Sequence, residues 1–184
     1  MRVFVAIDVP EDIKEELWKD FGEWRRALGG VKWVEAHNLH LTLRFIGETT
    51  SDRVDKLIQG LKDKLWAHSP FTIILEGVGT FPNWKRPRVL WVGVRGDLDP
   101  LFKLQKAIEE VVSDVGFPPD DKGFHPHLTI GRVKRGKKVS SHPKEPNFSY
   151  PFIVGRVVVM ESTLTQDGPV YTPLSEIRLR GGAG

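Results

Sequence analysis

Two tetrapeptides in this chain share a pattern that could perform acid–base chemistry. His40-Leu41-Thr42-Leu43 recurs 87 residues later as His127-Leu128-Thr129-Ile130, so each copy places a threonine two residues after a histidine. Successive side chains of a β-strand point to opposite faces, and the imidazole and hydroxyl of one copy therefore share a face. Two such strands lining one cleft would supply two titratable nitrogens and two hydroxyl donors, a set suited to an anionic phosphodiester.

Histidines are suited to cleaving a phosphodiester near neutral pH because the ordinary imidazole pKa is about 6.5. A neutral imidazole can take a proton from an attacking water, and a protonated one can give a proton to the departing ribose oxygen. The threonine hydroxyls can donate to non-bridging phosphate oxygens, whose charge grows during displacement. The alternative is two edge histidines on amphipathic strands, in which strand propensity alone explains each threonine. The shared two-residue offset favours the catalytic interpretation.

The sequence around both tetrapeptides resembles the two-histidine phosphoesterase superfamily, whose signature is a pair of His-x-Thr/Ser-x motifs with hydrophobic x. Within it, the chain is most similar to the RNA 2',3'-cyclic phosphodiesterases of bacteria and archaea, also called 2'-5' RNA ligases. The likeness extends over almost the whole chain and rests on four segments: residues 2–8, 31–34, 40–47 and 124–132.

This resemblance implies a bilobal α+β fold, with two pseudo-twofold-related antiparallel sheets, helices outside and a cleft between the lobes. It also implies that His40 is the proton donor and His127 the proton acceptor, a division that the residues alone leave open. The implied reaction opens an RNA 2',3'-cyclic phosphate end to a 2'-phosphate, and its reversal would form a 2'-5' linkage. The implied partner is RNA carrying either group.

Two arginines are candidate substrate-binding residues. The resemblance implies that Arg132 neutralises phosphate or holds the nucleotide, although strict alternation places it on the face opposite His127. Alternation places Arg44 on the His40 face, with no motif in support. A surface ion pair is the alternative for both arginines. Phe45 has the parity of the apolar residues of its strand, so we expect it to pack in the core rather than to stack on a base.

Two other functions fit the same residues. A non-catalytic RNA-end or nucleotide-binding module would use the cleft without turnover, and replacing His40 with alanine would separate it from an enzyme. A metal-dependent phosphodiesterase would use the His125–His127 or the His37–His40 pair as ligands. No Asp or Glu lies at ligand spacing beside these histidines, so we expect neither a metal nor another cofactor.

Composition excludes several other kinds of site. The 184 residues include no cysteine, which rules out thiol nucleophiles, disulfides and thiolate metal sites. The N-terminus shows no signal-peptide pattern, and no apolar run approaches the roughly 20 residues that span a bilayer. We therefore expect a cytoplasmic monomer without membrane association. We expect one two-lobed domain over residues 1–184.

Positive charge is clustered in this chain, although the net charge is only +3. Residues 85–88 and 132–138 are both basic, and the second cluster directly follows the second histidine motif. Solvated loops are the alternative for such runs. Their place beside a phosphate site favours contact with RNA.

Hydrophobic periodicity predicts the elements that position these motifs. Strands are expected at residues 2–8, 40–46, 71–75, 89–94, 152–161, near 177–179, and around the motif at 127–130. Helices are expected from Pro10 to Leu28, from a cap at Thr50 or Ser51 to Leu65, and from Asp99-Pro100 to Gly116. The order strand–helix–histidine strand occurs twice, and interleaved strands and helices with hairpin links favour an α+β architecture.

Overall fold

The computed structural model describes residues 1–181. In chain order its elements are β1 (Arg2–Asp8), α1 (Glu11–Asp20), α2 (Gly22–Ala27), β2 (Val31–Trp33), a 3-10 turn (Ala36–Asn38), β3 (His40–Glu48), α3 (Ser51–Leu65), β4 (Phe71–Phe81), β5 (Val89–Gly96), α4 (Leu98–Val115), β6 (His127–Val133), β7 (Ser149–Val154), β8 (Arg156–Thr165) and β9 (Gly168–Arg178). No helix among these residues is long and apolar enough to cross a membrane.

The strands form two antiparallel sheets, each containing one histidine motif. The first has the order β3-β1-β8-β9 and the second the order β2-β6-β5-β4-β7. The first motif is on β3 and the second on β6, and these two strands approach each other between the sheets. In each half a strand, one or more helices and an antiparallel histidine strand follow in order, as β1 to β3 and as β5 to β6. The predicted bilobal α+β architecture is confirmed.

One hydrophobic cluster joins the helices to both sheets. The apolar stripes of α3 and α4 lie in it, and Leu41 and Leu128, which follow the two motif histidines, are wholly buried there. Burying a leucine side chain contributes roughly 1.5–3 kcal/mol. A one-residue slip of either strand would expose that leucine, so burial fixes the register and keeps the histidine on the opposite face.

Two sequence predictions about element boundaries are wrong. The helix expected from Pro10 to Leu28 is interrupted at Phe21, where the backbone (φ −97°, ψ 14°) leaves the helical range and a glycine follows. The single strand expected at 152–161 is two strands, because the chain passes at Gly155 from the second sheet to the first. The apolar pattern continues through Gly155, so the sequence carries no sign of the change of sheet.

The last strand is also longer than its expected position near 177–179. β9 begins at Gly168 and includes Pro169 and Pro173. Proline in a sequence argues against a central strand, but β9 lies at the edge of the first sheet, where a missing N–H is tolerated.

Candidate active site

Both histidine motifs line a single pocket between the two sheets. His40 and Thr42 reach it from β3, and His127 and Thr129 reach it from β6. This histidine pocket has a volume of about 160 Å³ and adjoins a wider cleft of about 720 Å³. The four residues that the sequence singles out for chemistry are therefore brought together.

Both imidazoles are oriented by the same backbone contact. Nδ1 of His40 lies 2.6 Å from the carbonyl oxygen of Asn38, and Nδ1 of His127 lies 2.5 Å from that of His125. A carbonyl oxygen only accepts, so Nδ1 donates its hydrogen in each ring. Nε2 is thus the nitrogen that remains free to exchange a proton in each histidine.

Aromatic rings surround His40. Its ring stacks on Phe4 with 4.7 Å between centroids, and it meets the ring of Tyr171 edge-on at 5.0 Å. Burial among these groups disfavours the imidazolium and lowers the pKa of His40, although the hydrogen bond to Asn38 acts in the opposite direction.

His127 is also partly buried, beside Phe81, whose ring meets it edge-on at 4.9 Å. Burial lowers the pKa of His127 and the positive charge of Arg132 lowers it further, although the hydrogen bond to the His125 carbonyl oxygen acts in the opposite direction. Both candidate catalytic groups therefore favour the neutral form when the pocket is empty.

A β-bulge in β3 reverses the alternation that the sequence predicts after Thr42. Adjacent residues of β1 pair with Thr42 and Arg44, so Leu43 is an extra residue in the strand. The bulge turns Phe45 towards the cleft, where its side chain is 46% exposed. The expectation that Phe45 packs in the core is wrong.

The same bulge removes Arg44 from the His40 face, contrary to the expectation from alternation. Arg44 borders the wider cleft but is only 7% exposed, and its Nε lies 2.6 Å from a carboxylate oxygen of Glu109 on α4. Its other nitrogens donate to the carbonyl oxygens of Phe45 and Pro118. These bonds tie α4 and the following loop to β3 and engage all three nitrogens of the guanidinium.

We expect Arg44→Met to lower the free energy of unfolding by about 2 kcal/mol, because it removes the buried cation that pairs with Glu109 and donates to two backbone carbonyl oxygens. Chemical denaturation followed by tryptophan fluorescence would measure the change. The matched control is Arg95→Met, which removes an exposed arginine from β5. A loss no larger than that of the control would contradict this structural role.

β6 contains a bulge at the matching position. Adjacent residues of β5 pair with Thr129 and Gly131, so Ile130 is the extra residue. The bulge brings Arg132 onto the face of His127, where it lines both the histidine pocket and the wider cleft. Strict alternation alone would place Arg132 on the opposite face, and the bulge overcomes that obstacle to the substrate contact that the resemblance implies. The pocket thus gains a permanent positive charge.

The chain matches known proteins in both sequence and shape. The family model of the 2'-5' RNA ligase superfamily matches residues 13–165. The chain belongs to this superfamily. The resemblance drawn from the two motifs is confirmed.

Relatives in this superfamily match over nearly the full length of the chain. The RNA 2',3'-cyclic phosphodiesterase of Methanocaldococcus jannaschii is 36% identical over 182 residues, covering 96% of this chain and 99% of the relative. The protein of that name from Archaeoglobus fulgidus is 37% identical over 179 residues, covering 95% and 98%. A crystal structure of TT0787 from Thermus thermophilus superposes with a TM-score of 0.85 at 30% identity, covering all of both chains. E. coli LigT, crystallised with 3'-AMP, gives a TM-score of 0.79 at 28% identity, covering 97% of each chain.

Sequence reasoning missed several residues of the histidine pocket, and two of them, Asn38 and Tyr171, are in contact with His40. Asn38 holds His40 through its carbonyl oxygen, and its side-chain amide donates to the carbonyl oxygen of Pro169 at 3.0 Å. Tyr171 comes from β9, far along the chain and outside any motif. Asn38 lies only two residues before His40, but no motif marks it. Tyr171 has no local signal, since only the pairing of β9 with β8 and of β8 with β1 brings it to His40.

The metal alternative named two histidine pairs as ligands. In the structure the carbonyl oxygen of His125 accepts a hydrogen bond from Nδ1 of His127, and His125 lines the wider cleft. Within residues 1–181, no group of three or more His, Asp or Glu side chains is arranged to hold a metal ion.

Proposed function

We propose that this chain hydrolyses RNA 2',3'-cyclic phosphate ends to 2'-phosphomonoesters by two-histidine acid–base catalysis. The observation that carries the proposal is the shared pocket, in which His40 and His127 each keep Nε2 free beside a threonine hydroxyl. The names of the relatives, RNA 2',3'-cyclic phosphodiesterase, support the substrate class.

The proposed roles follow from one proton acceptor and one proton donor acting on opposite sides of phosphorus. Nε2 of neutral His127 takes a proton from water, which attacks phosphorus in line. The bond to the 3'-oxygen breaks, and Nε2 of protonated His40 gives that oxygen its proton, which leaves a 2'-phosphate. The division between the two histidines rests on the family resemblance, because the hydrogen bonds that orient them are alike.

The remaining groups of the site bind the anion and the nucleoside. The hydroxyls of Thr42 and Thr129 donate to the non-bridging oxygens, and Arg132 offsets their charge. The wider cleft, with the exposed ring of Phe45, holds the nucleoside. The crystal complex of E. coli LigT with 3'-AMP supports binding of a nucleotide by this chain. Arg44 as a direct substrate contact receives no support from its ion pair with Glu109.

The reverse reaction at the same site would join a 2',3'-cyclic phosphate to a 5'-hydroxyl as a 2'-5' linkage, without a nucleoside triphosphate. The proposed partner is therefore RNA with either end group. A single two-lobed domain that acts as a cytoplasmic monomer stays a prediction.

The direct test is an assay of a short RNA ending in a 2',3'-cyclic phosphate, with EDTA present. We expect ring opening to a 2'-phosphate, identified by mass and by resistance of the product to a 3'-phosphatase. RNA binding without ring opening would favour the non-catalytic binding module. Activity that EDTA abolishes and a divalent ion restores would favour the metal-dependent phosphodiesterase.

The lowered pKa values of His40 and His127 predict the pH dependence of this reaction. The active form carries one proton on the pair, so kcat/KM should be bell-shaped with limbs at the two histidine pKa values. Because both pKa values lie below the ordinary value of about 6.5, we expect the kcat/KM optimum on the acid side of that pH. A bound phosphate anion favours the imidazolium, so the kcat optimum should lie at higher pH than that of kcat/KM. A kcat/KM optimum above about pH 7.5 would contradict the role of burial.

A further inference from the structure

A second concave site lies outside the catalytic cleft. It is a cavity of about 460 Å³ between the loop of residues 82–88, which joins β4 to β5, and the loop that follows β6. We call it the basic groove, because the first loop contributes Lys85, Arg86 and Arg88 to its lining and the second contributes Lys137 and Lys138. None of these side chains belongs to the histidine pocket.

The shape of the basic groove is fixed by hydrogen bonds between its two walls. The guanidinium of Arg88 donates to the carbonyl oxygens of Lys137 and Val133, at 3.3 Å each. The backbone N–H of Val133 donates in turn to the carbonyl oxygen of Arg88 at 2.9 Å. The second loop is also anchored outside the groove, where the backbone N–H of Lys134 donates to the carbonyl oxygen of Gly30 at 2.8 Å. The groove is therefore formed before a ligand arrives, which reduces the entropy cost of binding.

The charged side chains of the two loops are all basic. Residues 82–88 carry three Lys or Arg and residues 134–144 carry five, and neither segment contains Asp or Glu. The whole chain has a net charge of only +3, so the remainder of the molecule is net acidic. None of these eight Lys and Arg side chains takes part in the ion pairs found among residues 1–181. Such an uncompensated set of cations attracts a polyanion.

The basic groove is connected to the catalytic site through β6 and β4. β6 begins at His127 and ends at Val133, directly before the second loop, and at about 3.3 Å per residue it spans roughly 20 Å. The first loop follows Phe81, whose ring contacts His127. A few nucleotides of an RNA whose end occupies the histidine pocket can cover this distance. Trp84, 38% exposed on the first loop, lies next to the groove and offers a stacking surface for a base.

We propose that the basic groove binds backbone phosphates of the RNA upstream of its cyclic phosphate end. This inference rests on the proposed function and deepens it, because it makes the preferred substrate an oligonucleotide rather than a cyclic mononucleotide. A concave groove between two loops can hold a single RNA strand, whereas a flat bilayer surface would not enter it.

The test compares two substrates in the double variant Lys137→Ala/Lys138→Ala. For an RNA of about ten nucleotides with a 2',3'-cyclic phosphate end, we expect kcat/KM to fall about tenfold through KM. For a nucleoside 2',3'-cyclic phosphate we expect no change, since that substrate does not reach the groove. The slope of log(kcat/KM) against log[salt] for the RNA should become shallower by about 1.4, because each phosphate contact contributes about 0.7. The matched control is Lys56→Ala/Lys62→Ala, which removes two exposed lysines from α3.

The outcomes for the groove and for the proposed function are distinguishable. Equal kcat/KM for the RNA in the variant, the control and the wild type would contradict RNA binding by the groove and leave the proposed function unaffected. If the wild type opens neither substrate, the proposed function fails. The groove is then tested by fluorescence anisotropy with a 3'-hydroxyl RNA of the same length, whose affinity must fall in the variant alone. Binding to phosphatidylglycerol vesicles that depends on both lysines, with unchanged RNA affinity, would also overturn it.

Discussion

Replacing either His40 or His127 alone with alanine is expected to lower kcat for cyclic phosphate opening by about 10²- to 10⁴-fold, the usual contribution of a general acid or base. Each ring has only Nε2 free, because Nδ1 is bonded to a backbone carbonyl oxygen two residues upstream. Neither histidine can therefore take over the task of the other from across the pocket. Single-turnover rates with saturating enzyme would measure the chemical step directly.

The matched control for these variants is His68→Ala, which removes a histidine that follows α3 and does not line the pocket. It should keep wild-type kcat. Nucleotide affinity should change only modestly in all three variants, because the threonines and Arg132 still bind the phosphate. A histidine variant that loses affinity in proportion to turnover would point to the binding-module function instead.

The division into acid and base can be read from the same two variants. An aryl phosphodiester has a leaving group that departs without a proton, so it bypasses the general acid. The His40→Ala variant should recover most of its rate on such a substrate, whereas His127→Ala should stay slow. Recovery in His127→Ala instead would exchange the two roles.

The placement of the four motif residues could be predicted because their register is fixed by burial. Leu41 and Leu128 are wholly buried, and a strand with one apolar and one polar face has one stable register. Each histidine and threonine must then face away from the core. The joining of the two strands across one pocket was implied by the family resemblance rather than by the pattern itself.

The residues directly after the motifs could not be placed from the sequence, because a bulge depends on how the neighbouring strand pairs. Arg44 and Phe45 are exchanged between faces relative to the expectation, and Arg132 moves into the pocket. Gly131 gives one retrospective sign of the second bulge. A Cβ at Gly131 would lie 2.7 Å from Cγ1 of Val31, so glycine permits β2 to pack against the bulged strand.

Replacing Thr42 or Thr129 with valine is expected to lower kcat by about 10²-fold for each variant, the cost of losing one preorganised donor to a developing charge. Valine keeps the shape and strand propensity of threonine, so the backbone of the motif and its buried leucine should stay in place. The substrate phosphate is already anionic, but negative charge on its non-bridging oxygens increases in the transition state. The loss should therefore fall on kcat more than on KM.

Thr163→Val is the control for these variants, since it makes the same change at an exposed position of β8. Kinetics of all three variants on the same cyclic phosphate RNA would separate the donor role from strand stability. A loss of kcat of less than about threefold in both motif variants would contradict the donor role of the threonines, because even one preorganised donor in a water-excluded site contributes far more. If the two hydroxyls bind different non-bridging oxygens of one phosphate, the activation free energies lost in the two single variants should add in the double variant. A double variant no slower than either single variant would mean that the two threonines act as one unit, and the symmetric roles assigned to the two motifs would then be wrong.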